Sequence, residues 1–162
     1  MKGIIIYATK YGSTEKAVKL LQSKIPGGIK TVNVAKEKAP DLSSFDTVIL
    51  GGPIYAGRML GALSAYMRRN REALQGKRLA LFVCAGEQDP AQSEKQLAAA
   101  FPEDLYNRAV AREAFGGELY WDKLDGMTKF ILRVVKGIKE GFARLSEAKI
   151  ERFAREVSGE RG

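Results

Sequence analysis

Continuous apolar runs that end in glycine- or hydroxyl-bearing loops most constrain the fold of this chain. The runs occupy residues 2–8, 46–51 and 78–84. They do not alternate apolar with polar side chains, which is typical of strands covered on both faces of a parallel sheet. Residues 29–34 do alternate, as an edge strand would, and residues 108–116 form a weaker fifth strand candidate.

Helical patterns separate these runs. Residues 13–25 and 60–74 carry apolar side chains at helical spacing, and Asp89 before Pro90 predicts an N-cap opening a helix through about residue 100. Ser146 is predicted to cap a final helix. The side chains expected to face the core are Ala17, Val18, Leu21, Ile25, Leu60, Leu63, Met67, Leu74, Leu97, Phe101, Ile150, Phe153, Ala154 and Val157.

The alternation of strands and helices predicts a three-layer α/β fold. In such a fold a doubly wound parallel sheet carries helices on both faces. Ligands bind beyond the carboxyl ends of its strands, where the strand order reverses. The length of 162 residues fits one domain, 1–162, and no linker interrupts it.

The residue types present exclude several kinds of chemistry. The chain has one cysteine, Cys84, and no histidine. A disulfide framework within one chain and Ser–His or Cys–His nucleophilic catalysis are therefore excluded, and no metal site is predicted. No catalytic side chain is identified, and Cys84 is interpreted first as a small buried side chain in a strand.

The formal net charge is +8. A charge of this size concerns partners rather than fold, and an anionic membrane surface or an acidic protein both fit it. No nucleic-acid-binding motif accompanies the charge, so nucleic acid is not the expected partner. The first apolar run is too short for a signal peptide and no segment is long enough to span a bilayer, so we expect a cytoplasmic protein.

The loop after the first strand combines hydroxyl groups with a helix start. Its residues are Thr9, Lys10, Tyr11, Gly12, Ser13 and Thr14. Unpaired N–H groups and the positive end of the helix dipole both favour an anion at such a place. Composition alone leaves two interpretations open, an ordinary strand-to-helix turn and a phosphate site. The loop has neither a Gly-Lys-Ser/Thr ending nor a Gly-x-Gly-x-x-Gly pattern.

Two further loops follow the second and third apolar runs. The second begins with Gly51 and continues through Arg58, and Tyr55 within it offers an aromatic face for stacking. We expect its glycines to let the backbone approach a flat ligand closely. Arg58 could stabilise negative charge on a ring, or it could be a solvated surface residue, which is the interpretation favoured when the residue is taken alone. The third loop begins at Cys84, and its small residues would admit the edge of a ring.

Together these loops resemble those of flavodoxin-like FMN proteins. The flavodoxin phosphate loop has hydroxyl, any residue, Thr, Gly, any residue, Thr, which this chain matches at Thr9, Gly12 and Thr14, with Tyr11 in place of the usual small hydroxyl residue. The resemblance implies FMN as cofactor and a five-stranded parallel sheet in the order 2-1-3-4-5. It implies a phosphate held by residues 9–14, a ring face covered by the second loop and a ring edge met by the third. The ring contacts expected are Gly52, Pro53, Ile54, Tyr55, Ala56, Gly57, Cys84, Ala85, Gly86, Glu87 and Gln88.

A narrower resemblance is to the flavodoxin-like protoporphyrinogen IX dehydrogenases that use menaquinone. The second loop and the aromatic-basic segment from Gly117 to Lys123 are similar to theirs. This resemblance implies an oxidoreductase passing electrons from a protoporphyrinogen-like substrate to a quinone. The alternative is a flavodoxin-type carrier of electrons between redox proteins. Flavodoxin carriers are usually acidic, and a charge of +8 instead suits a carboxylate-bearing substrate.

Residues 122–143 form a basic amphipathic pattern. Apolar residues recur at helical spacing from Met127 to Phe142, and five basic residues decorate the rest. The first interpretation is a helix that faces the core with its cationic side in water. The second is a partly exposed apolar face that meets a membrane surface, a quinone or a porphyrin-like substrate. Under the second interpretation the protein would sit peripherally at the inner face of the membrane.

Overall fold

The computed structural model describes residues 1–9, 13–55, 57–86, 89–119, 124–135, 142–143 and 145–159. The strands are β1 Gly3–Tyr7, β2 Lys30–Asn33, β3 Thr47–Tyr55, β4 Arg58–Met59, β5 Arg78–Cys84, β6 Ala111–Ala114, β7 Glu118–Leu119 and β8 Phe142–Ala143. The helices are α1 Ser13–Lys24, α2 Gly61–Arg69, α3 Arg71–Gln75, α4 Pro90–Ala99, α5 Glu103–Arg108, α6 Gly126–Val135 and α7 Glu147–Val157, with a 3₁₀ turn at Leu42–Ser44.

Five parallel strands form the central sheet in the order β2-β1-β3-β5-β6. Counting these five strands alone gives 2-1-3-4-5, so the predicted order is confirmed. The short strand β4 pairs antiparallel with the end of β3, and β7 pairs with β8 in a separate two-stranded sheet. The predicted α/β fold with a parallel sheet between helices is therefore confirmed.

Both faces of the sheet are covered, which explains why its three inner strands, β1, β3 and β5, do not alternate. In β1, Ile4 and Ile6 pack in a cluster with side chains of α2 to α5. Ile5, between them, packs in the opposite cluster with side chains of α1 and α7. Successive side chains of a strand point to opposite faces of the sheet, so the odd-numbered and the even-numbered residues of a strand covered on both faces must both be apolar. Thirteen of the fourteen predicted core side chains are buried, and the fourteenth, Leu60, packs partly buried against the core.

The predicted helix over 60–74 is two helices. Asn70 ends α2 and precedes α3, with a backbone φ of −112° and ψ of 20°. Its side-chain amide donates to the carbonyl of Tyr66 at 2.9 Å, and its own N–H donates to the same oxygen at 3.0 Å. An asparagine that bonds its own turn in this way competes with helix continuation. The short helix α5 was not predicted from the sequence, although its Leu105 is fully buried.

The predicted helix over 122–143 was wrong in extent. Helix α6 covers Gly126–Val135, and residues 142–143 are a strand instead. The interpretation of this helix as core-facing was also wrong for the side chains described, because Met127, Phe130 and Val134 are exposed. Among the described helices none is long and apolar enough to cross a bilayer.

Candidate functional site

The three strands that carry the predicted loops are neighbours. β3 lies between β1 and β5, with Tyr7 opposite Gly51 and Pro53 opposite Cys84. The loops that follow them therefore leave the same edge of the sheet side by side. The described residues of the three predicted loops, which leave out 10–12, 56 and 87–88, lie at or next to this carboxyl edge. That the full loops 9–14, 51–58 and 84–89 form one site stays a prediction.

The first loop contributes two buried hydroxyl side chains. Thr9 is 5% exposed and Thr14 is fully buried. The Oγ1 atom of Thr14 has no hydrogen-bond partner among the described residues. It lies in the first turn of α1, whose leading N–H groups have no acceptor within the helix. An unpaired buried hydroxyl costs about 1–3 kcal/mol. An anionic ligand at the start of α1 would supply the missing acceptor. Lys10, Tyr11 and Gly12 and the side chain of Ser13 lie outside the described residues.

The second loop is a β-hairpin. β3 continues four residues beyond the last residue of β1, and β4 turns back on it with Ile54 opposite Met59 and Tyr55 opposite Arg58. Gly57 in the turn has a φ of 77°, a conformation that glycine adopts without steric cost. Arg58 is exposed, as predicted. Ala56 and the side chain of Tyr55 lie outside the described part of the chain.

Two glycines of this loop lie close to neighbouring side chains of the protein. A Cβ on Gly51 would lie 2.1 Å from two ring carbons of Phe82, and a Cβ on Gly52 would lie 2.7 Å from the Sδ of Met59. Sequence reasoning assigned the glycines of this loop to the approach of a ligand. The packing alone accounts for Gly51, since an added side chain would clash with an aromatic ring, whereas the flexible end of Met59 can move away from a side chain at position 52.

The third loop is held by a segment that sequence reasoning missed. The N–H of Ala85 donates to the carbonyl of Gly116 at 3.0 Å, and a Cβ on Gly117 would come within 3.3 Å of the Ala85 backbone. Cys84 is buried, as predicted, whereas Ala85 and Gly86 are half-buried. Glu87 and Gln88 are among the residues not described. The glycine pair after β6 was the available sequence signal for this close approach.

Tyr7, the last residue of β1, is a titratable group at the described strand ends. Burial, and then the negative charges of Glu15 and Glu37, raise the pKa of Tyr7 above its usual range. The phenol therefore stays neutral at physiological pH. The described part of the site offers backbone amides, hydroxyls and small apolar side chains, an environment that binds and orients a ligand.

A separate cavity of about 590 Å³ lies along the edge strand β6. It runs between the first turns of α4 and α7, and Arg112 and Lys149 line it together with Glu94 and Glu113. It touches Gly116, whose carbonyl accepts from the third loop, but none of the predicted site residues that the structure describes lines it. The cavity therefore lies next to the candidate site but is separate from it.

Residues 4–146 match a family model for the flavodoxin domain. The chain therefore belongs to the flavodoxin domain family. Membership identifies FMN as the cofactor and a redox role as the function. The unpaired Thr14 hydroxyl at the helix start fits the phosphate of FMN.

Solved structures show the same fold at low sequence identity. A short-chain flavodoxin associated with a non-canonical PDU bacterial microcompartment is similar with a TM-score of 0.61 and 13% identity, covering 98% of each chain. Two-electron reduced Megasphaera elsdenii flavodoxin is similar with a TM-score of 0.59 and 11% identity, over 97% of this chain and 98% of that one.

A larger protein contains a similar portion. The rubredoxin oxygen:oxidoreductase of Desulfovibrio gigas is similar with a TM-score of 0.55 and 13% identity. The match covers 98% of this chain but 35% of that protein, so this chain spans about a third of its length. Comparison of the sequence with curated proteins finds no match.

Proposed function

We propose that this protein is an FMN-dependent dehydrogenase that oxidises a reduced organic substrate of the protoporphyrinogen type and passes the electrons to a quinone. In each two-electron oxidation the donor loses two hydrogen atoms, and one quinone gains two electrons and two protons to become a quinol. FMN supplies the electron transfer when it is bound, and the protein binds and orients it.

The proposed cofactor contacts follow the three loops. Residues 9–14 hold the phosphate, with Thr14 as the contact that the described geometry supports best. Residues 52–57 cover one face of the ring, and residues 84–88 meet its edge. Backbone donors and hydroxyls at the start of a helix suit a phosphate that stays bound, since nothing in the reaction requires its transfer.

The segment between β6 and α7 is the observation that carries the enzymatic proposal. It leaves the sheet beside the third loop, because Gly116 bonds Ala85 and β7 begins two residues later. It then carries helix α6, whose described apolar side chains, Met127, Phe130, Ile131 and Val134, are exposed rather than packed in the core. Such a projection next to a flavin edge suits contact with an apolar donor or a quinone. The charge of +8 suits a donor that bears carboxylates.

Turnover with purified protein tests this proposal. FMN-loaded protein is mixed with protoporphyrinogen and a menaquinone analogue without oxygen, and porphyrin formation is followed by its fluorescence. We expect porphyrin to form at a rate that depends on both the protein and the quinone. Protein that carries FMN yet forms no porphyrin above the protein-free control would contradict the proposal.

An electron carrier between redox proteins is the second candidate. It is favoured by the match to flavodoxins that covers 97% or more of both chains in two structures. A carrier would accept electrons rapidly from a flavodoxin reductase or a ferredoxin and would leave the porphyrinogen unchanged. Stopped-flow absorbance with such a reductase, run beside the turnover assay, separates the two functions.

A further inference from the structure

Helix α6 presents an apolar face to solvent. The exposed fractions are 70% for Met127, 62% for Phe130, 42% for Ile131 and 64% for Val134. A helix of 3.6 residues per turn places these four side chains within an arc of about 100°. Elsewhere among the described residues, only Met1 and Val110 are exposed large hydrophobic side chains. The face is thus the main concentration of exposed apolar surface in the described structure, and such patches mark interaction sites.

The protein holds this helix in place at its base. The Asp125 carboxylate accepts a hydrogen bond from the N–H of Thr128 at 2.6 Å, which caps the first turn. Leu124, just before it, is buried. Strands β7 and β8, which precede and follow α6 in the chain, pair with each other. The helix is therefore a formed element that exposes its apolar face, rather than a stretch that lacks a cap or an anchor.

The charge beside this face is positive. From residue 126 to residue 139 the sequence has four basic side chains and no acidic one. On α6 these are Lys129 and Arg133, which lie outside the apolar arc. A helix with one apolar face and basic side chains beside it is typical of helices that lie in the plane of a membrane interface. Each basic side chain near an anionic surface strengthens binding roughly fivefold.

We propose that α6 docks on an anionic lipid bilayer, with its apolar face in the headgroup region. The helix has 10 residues. At 1.5 Å per residue that is about 15 Å, half of a hydrocarbon core of about 30 Å, so it lies on the bilayer and does not cross it. The inference does not rest on the proposed quinone reaction, and its test involves no electron transfer.

Co-sedimentation of FMN-loaded full-length protein with vesicles tests the proposal. The vesicles are phosphatidylcholine mixed with phosphatidylglycerol, and phosphatidylcholine alone is the comparison. We expect binding to the anionic vesicles that weakens in high salt. Replacing Phe130 and Val134 together by serine should weaken partitioning by about tenfold or more, since both side chains lose their apolar burial. The same substitution at Val110, which is 45% exposed and lies off the helix, should leave binding unchanged.

A label on the helix reports its position directly. Val134→Cys carries an environment-sensitive dye, since the native Cys84 is buried. We expect a blue shift of its emission with anionic vesicles. Failure of the wild-type protein to bind these vesicles would overturn the proposal, as would equal binding by the double serine variant or an unshifted dye on bound protein. A concentration-dependent dimer in sedimentation velocity that the double serine variant abolishes would instead assign the face to a second copy.

Discussion

Among the described residues, the buried hydroxyl groups of Thr14, Tyr66 and Ser158 have no hydrogen-bond partner. The first two differ in position. Thr14 stands at the carboxyl edge of the sheet, where a ligand can supply the partner, whereas Tyr66 belongs to α2 and packs against the core cluster under it. A buried polar group without a partner lowers stability. We therefore expect the first to serve binding and the second to act only on stability.

The Tyr66 hydroxyl makes stability depend on pH in the alkaline range. Burial raises the pKa of Tyr66 from 10.0 to about 12. Between these values the unfolded chain ionises before the folded protein does, so the contribution of this group is complete below pH 10 and is lost as the pH rises towards 12. Chemical denaturation of Tyr66→Phe should show equal or higher stability at neutral pH, by up to about 1 kcal/mol.

The variant should also lose less stability than the wild type between pH 10 and 12. Parallel stability curves for the two proteins over this range would contradict the assignment. The sequence placed Tyr66 on a helix but gave no sign that its hydroxyl is buried, because burial of one polar atom depends on the packing of other elements above it.

At the scale of elements, strand β3 is shaped by the aromatic cluster beneath it. Phe82 stacks on Phe115 with ring centroids 4.8 Å apart and meets Phe153 edge-on at 6.1 Å. These contacts fix the Phe82 ring where a Cβ on Gly51 would clash. The sequence showed a glycine at the end of an apolar run, which is equally typical of a ligand loop, and only the packing separates the two causes.

Gly51→Ala should lower the free energy of unfolding by about 1–3 kcal/mol or more, because the ring cannot move away. Gly61→Ala is the matched control. It lies at the first residue of α2, where nothing stands within 4 Å of the new Cβ, so its stability should not fall. In a Phe82→Leu background, Gly51→Ala should lower the free energy of unfolding by less. Denaturation of the wild type, the two single variants and the double variant measures this difference. An unchanged cost would show that Phe82 is not the cause.

Elements that pack on the sheet were predicted better than those that leave it. The caps at Asp89 and Ser146 are confirmed, since each side chain accepts a hydrogen bond from its own first turn. The segment 122–143 was predicted as one helix because its apolar spacing continues to Phe142. Spacing carries no information on the strand pair β7–β8, which depends on residues far apart in sequence.

At the scale of the whole molecule, the order of the strands places the candidate site. The alternation of strand and helix patterns was enough to predict the sheet and the edge at which the loops meet. The cavity along β6 and the contact of Gly116 with the third loop could not be predicted, because they arise from the positions of α4, α7 and β6 relative to one another. The single domain over 1–162 and the residues that contact FMN stay predictions.

The central claim is that this edge holds FMN with its phosphate at Thr14. Titration of the apoprotein with FMN, followed by flavin fluorescence, tests it most directly in the wild type, Thr14→Val and Thr14→Ser. Loss of a hydrogen bond to a charged phosphate should weaken binding by about tenfold or more in the valine variant, while its apoprotein is at least as stable as the wild type. The serine variant, which keeps the hydroxyl, should bind close to normally. Wild-type affinity in a folded Thr14→Val protein would contradict the claim.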